Sequence, residues 1–91
     1  MRKVNVMIST YNGEKYIKEQ IDSILSQSYP EVSIYVRDDG SKDATLSILQ
    51  EYERKGKITL FSGNNIGYGK SFLTLLQFMP KEEYYAFCDQ D

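Results

Sequence analysis

The segment Val32-Ser33-Ile34-Tyr35-Val36-Arg37-Asp38-Asp39-Gly40-Ser41-Lys42-Asp43-Ala44 changes character twice. Residues 32–36 alternate apolar and polar, with β-branched side chains on the apolar face, which predicts a strand. Ser41-Lys42-Asp43-Ala44 sets a capping hydroxyl ahead of an acidic first turn, which predicts that a helix opens at Ser41. Between the two lie a pair of carboxylates and a turn glycine. In a parallel α/β sheet such a turn sits at the carboxyl edge, where ligands bind. The fold needs no acid pair there, so the pair reads as the floor of a ligand site. Asp38 is the structural member and Asp39 the ligand contact, while Asp43 serves the helix N-terminus.

Outward from this stretch, strand and helix patterns take turns along the chain. Val4-Asn5-Val6-Met7-Ile8 reads as a first strand, and Ser9-Thr10-Tyr11-Asn12-Gly13 as the turn after it. Ile17, Ile21, Ile24 and Leu25 mark one face of a helix from about Glu14 to Gln27, which Pro30 ends. A second helix carries Leu46, Leu49 and Tyr52 and closes at Gly56. Lys57–Phe61 forms a short strand, and Ser62–Gly69 a loop rich in glycine and asparagine that suits either turning or phosphate binding. A third helix runs from about Lys70 to Met79, stopped by Pro80. Tyr84-Tyr85-Ala86-Phe87-Cys88 is a continuous apolar run, the pattern of a strand covered on both faces, with Cys88 as a small core residue.

The expected fold is therefore α/β: a three-layer parallel sheet of four strands, with three helices distributed over both faces. The last strand is the most apolar and nothing follows to flank it, so self-association through it is expected. The 91 residues read as one incomplete domain, the front part of a longer chain.

Composition narrows the function. A net charge of -2 gives no electrostatic case for a nucleic-acid partner. One cysteine permits no internal disulfide and suits a cytoplasmic setting, with a parent protein peripheral at the inner face of a membrane as the alternative. There is no histidine, so acid–base or metal chemistry falls to Asp, Glu, Lys, Tyr and Cys88. Asp89 and Asp91 are two apart in extended backbone and point the same way, which suits a hard divalent ion, Mg²⁺ or Mn²⁺. A dinucleotide-binding dehydrogenase would carry G-x-G-x-x-G after the first strand, where this chain has Ser9-Thr10-Tyr11-Asn12-Gly13. A Mg-dependent phosphatase would need an aspartate nucleophile in that place. A non-catalytic nucleotide-binding domain is the remaining alternative.

Ser9-Thr10-Tyr11-Asn12, Asp38-Asp39-Gly40-Ser41-Lys42-Asp43-Ala44-Thr45, Asn65-Ile66-Gly67 and Asp89-Gln90-Asp91 together resemble the motifs of the family 2 inverting glycosyltransferases, which have the GT-A fold. The last motif stands where that family carries its DXD. The DQD form and the Asn-Asn-Ile-Gly-Tyr-Gly loop look most like rhamnosyltransferase-like members, which use a dTDP-sugar. The resemblance implies a nucleotide-diphosphate sugar donor, dTDP- or UDP-linked, and a saccharide or lipid-linked acceptor in polysaccharide biosynthesis. It places Thr10 and Tyr11 against base and ribose, and gives Asp39 the pyrimidine N3–H. Asp89 falls beside ribose and diphosphate, Asp91 on the metal, and Lys70 near the base and diphosphate. The family's catalytic base lies downstream of the DXD, so residues 1–91 alone are expected to transfer no sugar.

Overall fold

Residues 4–27, 31–78 and 84–89 are described by the computed structural model. Strands and helices alternate: β1 (Val4–Thr10), α1 (Ile17–Leu25), β2 (Val32–Asp38), α2 (Thr45–Arg54), β3 (Thr59–Ser62), α3 (Tyr68–Phe78) and β4 (Tyr84–Asp89). The described strands form one sheet in the order β3-β2-β1-β4, and every pairing is parallel. From β1 the chain steps outward through α1 and α2 to β2 and β3. It then crosses back through α3 to β4, on the far side of β1. Right-handed crossovers running in opposite directions leave helices on opposite faces of a sheet, so α3 lies across the sheet from α1 and α2. The expected three-layer architecture is what forms.

Each layer follows from the strand alternation. Val6 and Ile8 of β1 and Ile34 and Val36 of β2 meet Ile17, Ile21 and Ile24 of α1 and Leu49 of α2 in one core. Burying an aliphatic side chain of this size stabilises by about 1.5–3 kcal/mol, enough to hold short helices that are marginal alone. The opposite face carries Asn5, Met7, Ser9 and Arg37, all buried, with Ser71 of α3 among them.

Several boundaries differ from the sequence expectation. Ser9 and Thr10 continue β1 and are fully buried, and Asp38 continues β2 in register with Thr10. These residues are strand, not turn, because β1 is flanked on both sides and its ladder runs on. Asp89 likewise ends β4, opposite Ser9. Helix α1 starts only at Ile17, since the Gly13 carbonyl accepts the N–H groups of both Tyr16 and Ile17 in a preceding turn. Leu25 is 37% exposed and does not join the face of Ile17, Ile21 and Ile24. Thr45 and Leu49 are the buried residues of α2, with Ile48 and Tyr52 packed beside them, whereas Leu46 is only half-buried.

The reading of Gly56 holds: its φ is +73°, its N–H donates to Glu53 and that of Lys57 to Tyr52, a paired closure of the helix end. Helix α3 opens at Tyr68, two residues early, behind Gly67 at φ +87°. Pro30, Met79, Pro80, Gln90 and Asp91 lie outside the described residues.

Candidate functional site

At the carboxyl edge the sheet ladder runs past its strands. The Asp39 N–H donates to the Thr10 carbonyl at 2.8 Å, and the Gly63 N–H to the Asp38 carbonyl at 3.1 Å. The segments after β1, β2 and β3 are thus drawn side by side.

The first two are then stitched together by exchanged hydrogen bonds. The Asn12 N–H donates to Ser41 Oγ at 2.8 Å, and the Lys42 N–H returns one to Asn12 Oδ1 at 2.8 Å. The Gly13 N–H donates to Thr45 Oγ1 at 2.8 Å and the Glu14 N–H to Asp43 Oδ2 at 3.3 Å. Asn12 takes φ +53°, a left-handed conformation that asparagine tolerates better than most residues. Ser41 does not cap a helix. Its N–H and hydroxyl both donate to the Asp38 carboxylate, which closes the turn locally, and α2 begins at Thr45. Asp43 does serve that helix start, accepting the Thr45 N–H at 2.9 Å. Asp38 is structural, as expected.

This stitching yields a test. Thr45→Val keeps the side-chain size but leaves the buried Gly13 N–H without an acceptor. An unpaired buried donor costs about 1–3 kcal/mol, so the urea midpoint is expected to fall by that equivalent. An unchanged midpoint would show that the bond carries no weight.

The segment after β3 folds back over this platform. Asp39 is 3% exposed and accepts three hydrogen bonds. Arg37 Nη1 donates to its Oδ1 at 2.7 Å and the Ile66 N–H to the same oxygen at 2.9 Å, while the Gly67 N–H donates to Oδ2 at 3.0 Å. Arg37 also reaches Ser71 Oγ at 3.2 Å and the Asn64 carbonyl at 3.3 Å. Two glycines make this closeness possible. A Cβ on Gly40 would stand 3.0 Å from Asn65 N, and one on Gly63 would stand 2.5 Å from Arg37 Nη2.

What remains open is a cavity of about 90 Å³ lined by Tyr11, Asp39, Asn65 and Gly67. It is far smaller than a site enclosing a whole ligand, about 300–1,000 Å³, and has room for one flat ring. An ionised carboxylate only accepts hydrogen bonds, so the ring it suits presents an N–H.

Of the residues singled out from sequence, Tyr11 and Asp39 line this cavity together. Thr10 lies next to them with no exposed surface, and among the described residues its hydroxyl has no hydrogen-bond partner. Lys70 is exposed in the first turn of α3 and is not among the lining residues. Asp89 ends β4 at the same edge, and Asp91 lies outside the described residues. Among the described residues no three His, Cys, Asp or Glu groups gather as a metal cluster. Arg37 is the residue that sequence reasoning passed over. Its signal was a charge falling on one face of a strand whose other face is apolar.

A larger groove of about 660 Å³ runs between α1 and α2, lined by Lys18, Asp22, Ile48, Tyr52, Lys55 and Lys57 among others. Its phenol is already engaged. Tyr52 donates to Asp22, and burial together with that carboxylate pushes its pKa up to about 12.

The model of the glycosyl transferase family 2 domain matches residues 5–91, nearly the whole chain. This chain belongs to glycosyl transferase family 2. Over 90 residues it is 38% identical to the dTDP-rhamnosyl transferase RfbG of Shigella flexneri, covering 92% of this chain and 31% of that protein. A crystal structure of residues 1–349 of TarS from Staphylococcus aureus in complex with UDP-GlcNAc superposes with a TM-score of 0.84 at 35% identity, over 98% of this family 2 chain and 26% of that TarS chain. The mannosyltransferase PcManGT from Pyrobaculum calidifontis, in complex with GDP-Man and Mn²⁺, gives 0.73 at 26% identity, over 88% of this chain and 25% of its own. These neighbours are GT-A enzymes, so the α/β sheet described above is the family's fold. The family 2 chain spans roughly a third or less of the relatives it matches. No helix among the described residues is long and apolar enough to cross a membrane.

Proposed function

We propose that residues 1–91 are the nucleotide-binding part of a catalytic domain that takes a sugar from a dTDP- or UDP-linked donor. The sugar passes to a saccharide or lipid-linked acceptor with inversion at the anomeric carbon. The observation that carries this reading is the ring-sized cavity where Tyr11 and Asp39 meet the Asn65–Gly67 backbone. Asp39 accepts the N3–H of uracil or thymine and Tyr11 packs on base and ribose. Thr10, the neighbour of Tyr11 at the end of β1, is assigned with it to base and ribose. Lys70 and Asp89 approach the diphosphate, at the edge where α3 begins and β4 ends.

Asp91 is assigned to a divalent ion, Mg²⁺ or Mn²⁺. Carboxylate oxygens are the hard donors such ions take. A bound ion would neutralise charge on the departing diphosphate. Supporting the donor assignment, RfbG is named for dTDP-rhamnose transfer and TarS holds UDP-GlcNAc. PcManGT was solved with Mn²⁺. The outer strand β4, paired on one side by β1 among the described residues, is proposed to mediate self-association.

A panel of nucleotides with Mn²⁺ tests the donor class by thermal shift. A ligand at about 100 times its Kd stabilises by about 2.7 kcal/mol. Clear upward shifts are expected with dTDP or UDP, and none with CDP or NAD. The reverse order would end this reading.

A further inference from the structure

The Arg37–Asp39 pair is buried, with side chains only 8% and 5% exposed. Desolvating two such ions costs several kcal/mol each, and an apolar pair of similar volume is often as stable or more so. Stability alone therefore gives little reason for a guanidinium here. Its position gives a better one, because the cation stands directly behind the carboxylate that lines the cavity.

A carboxylate has about four acceptor positions. On Asp39, Arg37 Nη1 and the Ile66 N–H fill both positions of Oδ1, and the Gly67 N–H takes one of Oδ2. Among the described residues a single acceptor position remains, on Oδ2. Arg37 fixes which oxygen that is. Nη1 is shared with Ser71 of α3 and Nη2 is held by the Asn64 carbonyl, so the guanidinium cannot swing away. Gly63 lies against Nη2 so closely that a methyl group there would displace it. Three separate segments thus converge on one planar cation. A lysine ammonium, lacking the forked donors, cannot hold Asp39 and Asn64 together.

We infer that Arg37 is a specificity-determining positioning residue: it touches no ligand, but it fixes the Asp39 carboxylate so that one acceptor alone faces the base. Discrimination of a ring that carries an N–H, as in uracil or thymine, from one that lacks it, as in cytosine, runs through Arg37. This rests on the nucleotide reading of the cavity.

The test compares UDP and CDP affinities, both with Mn²⁺, for the whole chain, Arg37→Met and Arg37→Lys, by ligand-observed NMR titration. Folding is monitored by circular dichroism. Wild type is expected to prefer UDP. In Arg37→Met the UDP affinity should fall about tenfold, the equivalent of one charge-assisted hydrogen bond, with CDP affinity unchanged. Arg37→Lys should keep an intermediate preference, since its ammonium still faces Oδ1. A folded Arg37→Met with the wild-type UDP-to-CDP ratio, or with both affinities reduced by one factor, would overturn the inference and leave Arg37 purely structural. Should Arg37→Met fail to fold, Arg37→Lys decides: a reduced ratio supports the inference and an unchanged one overturns it. A wild-type chain with no preference for UDP over CDP would instead overturn base reading by Asp39, and the inference with it.

Discussion

Asp39→Asn is expected to lower the melting temperature by at least about 12 °C and to abolish measurable UDP or dTDP binding. Breaking a buried ion pair by removing one partner costs about 3–5 kcal/mol, and a domain of this size shifts by roughly 4–8 °C per kcal/mol. The asparagine leaves the buried Arg37 guanidinium without its counter-charge. It also turns an NH₂ donor toward a backbone N–H, that of Gly67 or Ile66, where the carboxylate accepted both. The ligand meets the same difficulty: the remaining acceptor on Oδ2 is lost or reoriented. Calorimetry or circular dichroism gives the first effect, and nucleotide titration of the fraction still folded at low temperature the second. A variant that melts within a degree or two of wild type would mean the pair is effectively solvated. One that binds UDP normally would remove Asp39 from the site.

Gly40→Ala should be nearly as damaging, for backbone reasons. Gly40 holds φ +80°, where a side chain costs about 1–2 kcal/mol. The added methyl would also stand 3.0 Å from Asn65 N and 3.3 Å from the Gly63 carbonyl oxygen. Both are backbone atoms and cannot rotate away, so the 63–67 segment must lift, at about 1–3 kcal/mol for the overpacking. That segment carries the two N–H groups that hold Asp39 and one wall of the cavity. Loss of about 2–5 kcal/mol is expected, together with weaker nucleotide binding. The control is Gly56→Ala, also at positive φ (+73°) but with nothing within 4 Å of the added Cβ. It should lose stability alone. Equal binding losses in the two variants would separate the 63–67 segment from the site.

The order of strands and helices was legible because residues 32–36 alternate apolar and polar in the sequence and α1 shows the 3.6-residue repeat through Ile17, Ile21 and Ile24. Local pattern was enough for these, as was the turn chemistry at Gly56. It failed where a distant partner decides. Ser41 has every feature of a helix cap, yet its hydroxyl answers to Asp38 and to Asn12, twenty-nine residues away. Arg37 falls with Ser33 and Tyr35 on the alternate face of β2, which an amphipathic strand would turn to water. Helix α3 covers that face, and the arginine's partner Ser71 is thirty-four residues on. Asp39 was singled out from its place at a strand end, and it lines the cavity. That its carboxylate would be three-quarters committed to the protein's own groups could not be read from the sequence, because Ile66 and Gly67 contribute backbone N–H groups, which carry no sequence signature.

Amide shifts on addition of UDP with Mn²⁺, in a ¹⁵N-labelled chain, test the central claim most directly. The largest changes are expected on Tyr11, Asp39, Asn65, Ile66 and Gly67, with Lys70 at their margin. Changes concentrated instead on Lys18, Asp22, Ser47, Tyr52 and Lys55, in the groove between α1 and α2, would contradict it.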